Sequence, residues 1–292
     1  MKHKSGFVSI VGNPNVGKST ISNMLTGERL SIVTSKAQTT RHKILGIVND
    51  ENHQIVFTDT PGVLKPNYKL QEAMLKYSKS ALEEADIITY ITDTVETPGK
   101  NEDFLTEIKK SKVPVILVIN KIDLSSHQEI EKLIETWKML LPNSEIFPIS
   151  ALHKFNLDKL YERIAELIPE APPFFDKTAL TDKPEKFFIS EIIREKILLY
   201  YKQEIPYSVE VEIEEYKEGQ NITEISAIIH VARESQKGIL IGQKGKALKK
   251  LGTESRRTIQ NFLEKKVHLN LFVKVSKNWR DTNNSLLNFG YK

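Results

Sequence analysis

Residues 12–20 read GNPNVGKST. The run fits G-x-x-x-x-G-K-[ST], from Gly12 through Gly17 and Lys18 to Ser19. It follows an apolar run, FVSIV (7–11), and opens onto a helical pattern over Lys18–Leu25. A strand before and a helix after is the setting in which such a loop cradles phosphate. Backbone N–H groups then point inward, and the helix N-terminus adds its positive dipole end. On this reading Asn13, Pro14, Asn15, Val16 and Thr20 complete the cradle. Lys18 reaches the β- and γ-phosphates, and Ser19 ligates Mg2+. A glycine turn with a stray lysine is the plain alternative, and the strand–loop–helix setting argues against it.

Outward from this loop, the first half alternates apolar runs with helical patterns. The runs are FVSIV (7–11), QIVFTD (54–59), IITYIT (87–92), VPVILVIN (113–120) and EIFPIS (145–150). Helical patterns cover Lys18–Leu25, Gln71–Glu84, Asn101–Lys110, Gln128–Leu140 and Asn156–Leu167. Runs apolar on both faces and spaced by helices predict an α/β fold, a mostly parallel sheet with helices on both faces. Ligands in such sheets bind beyond the C-terminal strand ends, where every motif below begins.

A phosphate cradle does not choose the base. NKID (120–123) does, through Asp123, whose carboxylate can accept from guanine N1–H and the 2-amino group. Adenine offers neither donor, and polar discrimination of this kind reaches about 10⁴-fold or more. Asn120 braces the loop and Lys121 lays its stem on the purine. Ser150, Ala151 and Leu152 (SAL) follow the last strand, with a backbone N–H placed for guanine O6. In DTPG (59–62), Asp59 is a Mg2+ partner, Thr60 and Pro61 shape the turn, and Gly62 N–H senses the γ-phosphate; Val63 follows. QTTRH, Gln38-Thr39-Thr40-Arg41-His42, precedes the next strand. One of its threonines closes over Mg2+, and Thr40 is favoured over Thr39. These two segments order and relax with hydrolysis.

In this order and spacing the five motifs resemble a bacterial Era-type GTPase over the first ~172 residues. The resemblance implies GTP hydrolysis with Lys18, Thr40, Asp59, Gly62 and Asn15 as the working set. Ras-like GTPases place a water-orienting glutamine where this chain has Val63, so intrinsic hydrolysis is expected to be slow. Asn15 resembles the asparagine that holds K+ in related GTPases; shaping the turn is the alternative role.

IPEAPPFF (168–175) breaks the pattern. Domains are therefore expected at 1–172 and 183–292, with a linker over 173–182. The second half reads α-β-β-α-α-β. Within it ILIGQKGK places Ile241, Gly242, Gln243, Lys244 and Gly245 as a GxxG loop before a basic helix carrying Lys246, Lys249, Lys250, Arg256 and Arg257. Order, loop and helix together resemble a type II KH domain, an α+β module that brings single-stranded RNA close to the loop. A solvated lysine helix is the alternative. A G domain followed by one KH domain implies a factor for small ribosomal subunit assembly that binds near the 3′ end of small-subunit ribosomal RNA. Peripheral contact with the inner membrane face is part of the same family expectation.

Bulk properties fit this. Of 292 residues 39% are apolar and 27% charged, with no cysteine, which excludes disulfides and thiolate metal sites. Residues 1–175 carry 21 Lys+Arg against 22 Asp+Glu, whereas 236–280 hold 12 against 2. Such a block suits a polyanion. No run reaches the ~18 apolar residues of a membrane span; a cytoplasmic location is expected, and a monomer. NKID argues against an ATPase, and the lack of a second Walker A argues against a tandem G protein. A constitutive RNA-binding module and a membrane-signalling GTPase are the remaining alternatives.

Overall fold

The computed structural model describes residues 3–97 and 101–291. The chain forms two compact units. The first runs to Pro66 and from Met74 to Asp182; the second holds Asn67–Ala73 and the chain from Lys183.

The first unit contains strands β1 (Lys4–Gly12), β2 (Ile44–Asn49), β3 (His53–Asp59), β4 (Ile87–Asp93), β5 (Val115–Asn120) and β6 (Glu145–Pro148). Its helices are α1 (Lys18–Thr26), the body of α2 (Lys69–Glu83), α3 (Glu102–Lys109), α4 (His127–Leu140) and α5 (Leu157–Leu167). The sheet order is β2-β3-β1-β4-β5-β6. All pairings are parallel except β2 with β3. All of β4 is buried, as the unbroken run IITYITD requires of a strand covered on both faces. One face packs Ile21 of α1 and Leu160 and Ile164 of α5 onto Val8, Ile10 and Phe57. The other packs Phe104 and Ile108 of α3 and Trp137 of α4 onto Val11, Tyr90 and Leu117.

Strand β2, ILGIVN, was not among the runs picked out of the sequence. It is the antiparallel edge of the sheet, joined to β3 by a tight turn. The Asp50 carboxylate accepts from the Asn52 and His53 N–H groups there, at 2.7 and 2.6 Å. From β1 the chain winds to β3 on one side and to β4 on the other. A crevice therefore opens at the C-terminal ends of these strands.

The segment expected to be a linker is ordered against the first unit. Leu180 O accepts from Ile47 N–H at 2.9 Å, and just ahead of the segment Pro169 O accepts from Ser5 N–H at 3.1 Å. Gln54, fully buried on β3, is the staple. Its side-chain oxygen accepts from Phe174 N–H (2.6 Å) and Phe175 N–H (2.9 Å), and its amide donates to Phe175 O (2.9 Å). Prolines here mark an extended chain, and the extended chain lies along the sheet.

The second unit contains α6 (Glu185–Tyr200), a short α7 (Ile205–Ser208), β7 (Val209–Glu218), β8 (Thr223–Val231), α8 (Glu234–Ile241), α9 (Lys246–Leu263), β9 (Val267–Val275) and α10 (Asn283–Asn288). Strand β8 lies between antiparallel β7 and parallel β9. Ile193 and Ile197 of α6 and Leu251 and Ile259 of α9 meet Val209, Ile225 and Ile229 in one core. Beside it Arg194 is buried in an ion pair with Glu191 at 2.5 Å.

Gln54→Ala would remove three half-buried hydrogen bonds to 174–175, each worth about 0.5–1.5 kcal/mol. The expected readout is faster tryptic cleavage after Lys177 with guanine nucleotide binding retained. Unchanged cleavage kinetics would contradict the staple.

Candidate functional site

The crevice holds a cavity of about 460 Å³ lined by Pro14, Gly17–Thr20, residues 32–36 and 38–40, Gly62 and Lys121. Its floor is the loop between β1 and α1. Gly17 has φ 98°, and a β-carbon there would fall onto the Asn120 amide. That amide donates to Val16 O at 2.9 Å, while its oxygen accepts from Ala151 N–H at 3.0 Å. Asn120 thus joins three motifs that are far apart in sequence. Asn13 and Val16 are buried, whereas Asn15 is exposed with φ 66°. Lys121, itself at φ 61°, donates to Asn15 O at 2.7 Å and pairs with Asp93 at 2.5 Å.

Lys18 is buried, and its ammonium donates to Asn13 O at 2.7 Å. Burial pulls its pKa down to about 8, against the raising effect of Asp59 and Glu96. Burial also pushes the Asp59 carboxyl up. Among the described residues neither Asp59 oxygen completes a hydrogen bond, although the Ser31 and Ser19 hydroxyls are near enough to favour the ionised form. Ser19 Oγ lies 2.7 Å from Thr40 Oγ1. A buried carboxylate without a hydrogen-bond donor, with two hydroxyls paired nearby, suits a hard divalent cation.

The two threonines part company here. Thr40 is buried beside Ser19, while the Thr39 hydroxyl donates to Lys36 O at 2.6 Å and sits 2.7 Å from Thr34 Oγ1. Arg41 is buried; the His42 ring lies 6.2 Å from that of Tyr77. Gln38 lines the cavity at φ 57°. Thr60 donates to Ile10 O at 2.8 Å, anchoring the 59–62 turn to β1. Val63 donates from its N–H to Gly12 O at 3.0 Å, and its side chain packs into the core with Val11. It presents no polar group to a water.

At the base end, the Ser150 hydroxyl donates to Asp123. This bond lowers the Asp123 pKa, so the carboxylate is ionised at neutral pH. Ala151 is buried and Leu152 is exposed. Two contributors escaped the sequence reading. Asp93 ends β4, holds Lys121, and accepts from Val95 and Glu96 N–H at 3.0 and 2.8 Å. Its position at a C-terminal strand end was the available signal. Asn101 donates to Asn13 Oδ1 and, at 3.2 Å, to Val63 O, and no motif marks it.

In the second unit Gly242 has φ 69°, and a β-carbon there would clash with Ala247. Lys244 (φ 50°) and Gly245 (φ 75°) continue the left-handed turn into α9. Gln243, Lys244, Lys246, Lys249 and Lys250 are exposed, and Ile241 is half-buried. The Tyr201 hydroxyl donates to Leu240 O at 2.9 Å, fixing the α8 end from which the loop springs.

A family described as 50S ribosome-binding GTPase matches residues 7–121, and the KH domain family matches 204–280. Two solved structures cover 99% of this chain and 99% of their own, with 41% identity and TM-scores of 0.94. One is Era in complex with MgGDPNP and nucleotides 1506–1542 of 16S ribosomal RNA. The other is a variant of Aquifex aeolicus Era bound to GDP.AlF4−. The chain belongs to the Era family. It is a GTPase with a mostly parallel α/β G domain and a C-terminal KH domain. Among the described residues no helix of this Era-family chain is long and apolar enough to cross a membrane.

Asp123→Asn is expected to shift preference from guanine to xanthine nucleotides, read by competition binding. Undiminished GTP preference would contradict the base assignment. Phosphate should hold Lys18 protonated. GDP binding without Mg2+ should then take up a proton at about pH 8.5 but show no uptake at about pH 6.5, where Lys18 is already charged and the nucleotide's own phosphate, with a pKa of about 6, gives up part of its proton. Titration calorimetry in buffers of different ionisation enthalpy reads this, and equal uptake at both pH values would contradict it.

Proposed function

We propose that this Era-family GTPase binds GTP with Mg2+ in the crevice. Its KH unit takes single-stranded RNA from the 3′ end of small-subunit ribosomal RNA, in the service of small-subunit assembly in the cytoplasm. The observation that carries this is the near-full-length relationship, at 41% identity, to an Era solved with both a GTP analogue and that RNA. The open GxxG turn at the head of a basic helix supports the RNA half. The family description names the large subunit, whereas the near-full-length relative was solved with 16S RNA; the KH module favours the latter.

The roles follow from the geometry. Lys18 turns from Asn13 O to the β- and γ-phosphates. Ser19, Thr40 and Asp59 would hold Mg2+, which when bound offsets phosphate charge and orders the β- and γ-oxygens. Gly62, which lines the crevice, would sense the γ-phosphate through its N–H. Asp123 reads guanine, with Ser150 orienting it and Asn120 holding the 150–152 segment beside it through the Ala151 N–H. Val63 leaves the attacking water without a side-chain partner, which makes turnover slow. Asn15 is the residue to hold a monovalent cation if one assists. The γ-phosphate orders 38–42 and 59–63, and only a difference in RNA affinity between the two nucleotide states makes this a switch.

The test is affinity for a single-stranded RNA copied from the 16S 3′ end against a scrambled control. Lys244→Asp provides the loop variant. Selective binding by the wild type, lost in Lys244→Asp with GTP hydrolysis retained, is expected. Equal affinity for the scrambled RNA would overturn the assignment. Lys18→Ala should abolish hydrolysis, and unchanged turnover would remove the crevice as the active site.

A further inference from the structure

The last turn of α6 ends in two exposed apolar side chains. Leu199 and Tyr200 are 53% and 40% exposed, directly after the fully buried Ile197 and Leu198. The Tyr200 ring is engaged by Lys250, whose ammonium lies 4.9 Å from the ring centroid. Lys250 stands one turn along α9 from Lys246, the first residue after the GxxG turn. Continuing along the same face come Glu254 and Arg257, paired at 3.2 Å. Glu195 is the remaining charged neighbour of the ring, and it pairs with Lys196 at 3.3 Å. With both carboxylates paired, Lys246 and Lys250 give this strip its charge. The neighbouring Tyr201 is buried and tied to Leu240 O at the foot of the GxxG turn. That bond sets the end of α6, and Tyr200 with it, beside the loop.

An exposed aromatic ring held by a lysine and flanked by cations suits a base and its phosphate. Such platforms bind single strands because every base has a π-face, while the cations track the backbone. We propose that Tyr200 and Lys250 form a second RNA subsite. The strand crosses the Gly242–Gly245 turn, one nucleotide beyond it stacks on Tyr200, and its phosphate meets Lys250 or Lys246. The inference rests on the RNA-binding reading of the KH unit and adds a stacking position to it. It requires no change in the loop itself and assigns no preference among bases.

The experiment uses the full chain and two single-stranded RNAs. One is about four nucleotides, the length a GxxG loop clamps, and the other about ten. Tyr200→Ala should weaken binding of the longer RNA about tenfold and leave the shorter unchanged. Tyr200→Phe, which keeps the ring, should restore the longer RNA to wild-type affinity. Lys250→Gln should lower the salt dependence for the longer RNA by about one unit of slope. GTP hydrolysis without RNA should be the same in all three variants, which reports an intact fold. No loss on the longer RNA, or equal loss on both lengths, would overturn the subsite. Should Lys244→Asp still bind both RNAs as tightly as wild type, the GxxG reading itself fails and the subsite falls with it. Loop dependence with a neutral Tyr200→Ala would remove the subsite alone.

Discussion

The hydrogen bond from the Asn120 amide to Val16 O, 2.9 Å long, holds the nucleotide site together. Through it the end of β5 grips the middle of the phosphate loop, and through its oxygen the same side chain grips Ala151. The base-reading loop and the phosphate cradle are therefore one object. A glycine at position 17 is the condition for this grip, because a side chain there would occupy the place of the amide. Both partners are buried, so losing either would leave polar groups unsatisfied at about 1–3 kcal/mol each. Lys121 adds a second tie, from Asp93 to Asn15 O.

This frame leaves a few groups in an unsettled state. Asp59 is a buried carboxylate whose oxygens complete no hydrogen bond among the described residues, and Lys18 is a buried ammonium that donates to the Asn13 carbonyl. Burial disfavours the charge on each. Such groups cost stability in the empty protein and regain it when counter-charge arrives. A metal cation for Asp59 and phosphate for Lys18 meet both needs together. The same arrangement supports the proposal that residues 38–42 and 59–63 respond to the γ-phosphate. Residues 38–40 and Gly62 line the same cavity as Lys18 and Ser19.

Much of this was legible in the sequence because the motifs depend on local backbone shape. GNPNVGKS, DTPG, NKID and SAL each begin where a strand ends, and period and strand length place those ends well. The GxxG turn was legible for the same reason, from two glycines between helical patterns. What escaped depends on long-range contact. Asp93 and Asn101 act through partners 28 and 88 residues away, and single residues without a motif give no warning. Strand β2 escaped because an antiparallel edge of six residues adds one hairpin to an otherwise alternating pattern. The prolines of IPEAPPFF pointed to a linker, and the structure shows this stretch held against the first unit. That the chain lies along the sheet depends on Gln54, about 120 residues earlier in the sequence.

The central claim is that the phosphate state read by Thr40, Asp59 and Gly62 sets the affinity of the GxxG unit for RNA. The most direct measurement is the dissociation constant for the 16S 3′-end RNA with a non-hydrolysable GTP analogue and with GDP, both with Mg2+ at one fixed salt concentration. The account predicts tighter binding in the GTP-analogue state, and loss of that difference in Thr40→Ala. Equal affinity in both nucleotide states would contradict it and leave a KH protein that binds RNA without regard to its nucleotide.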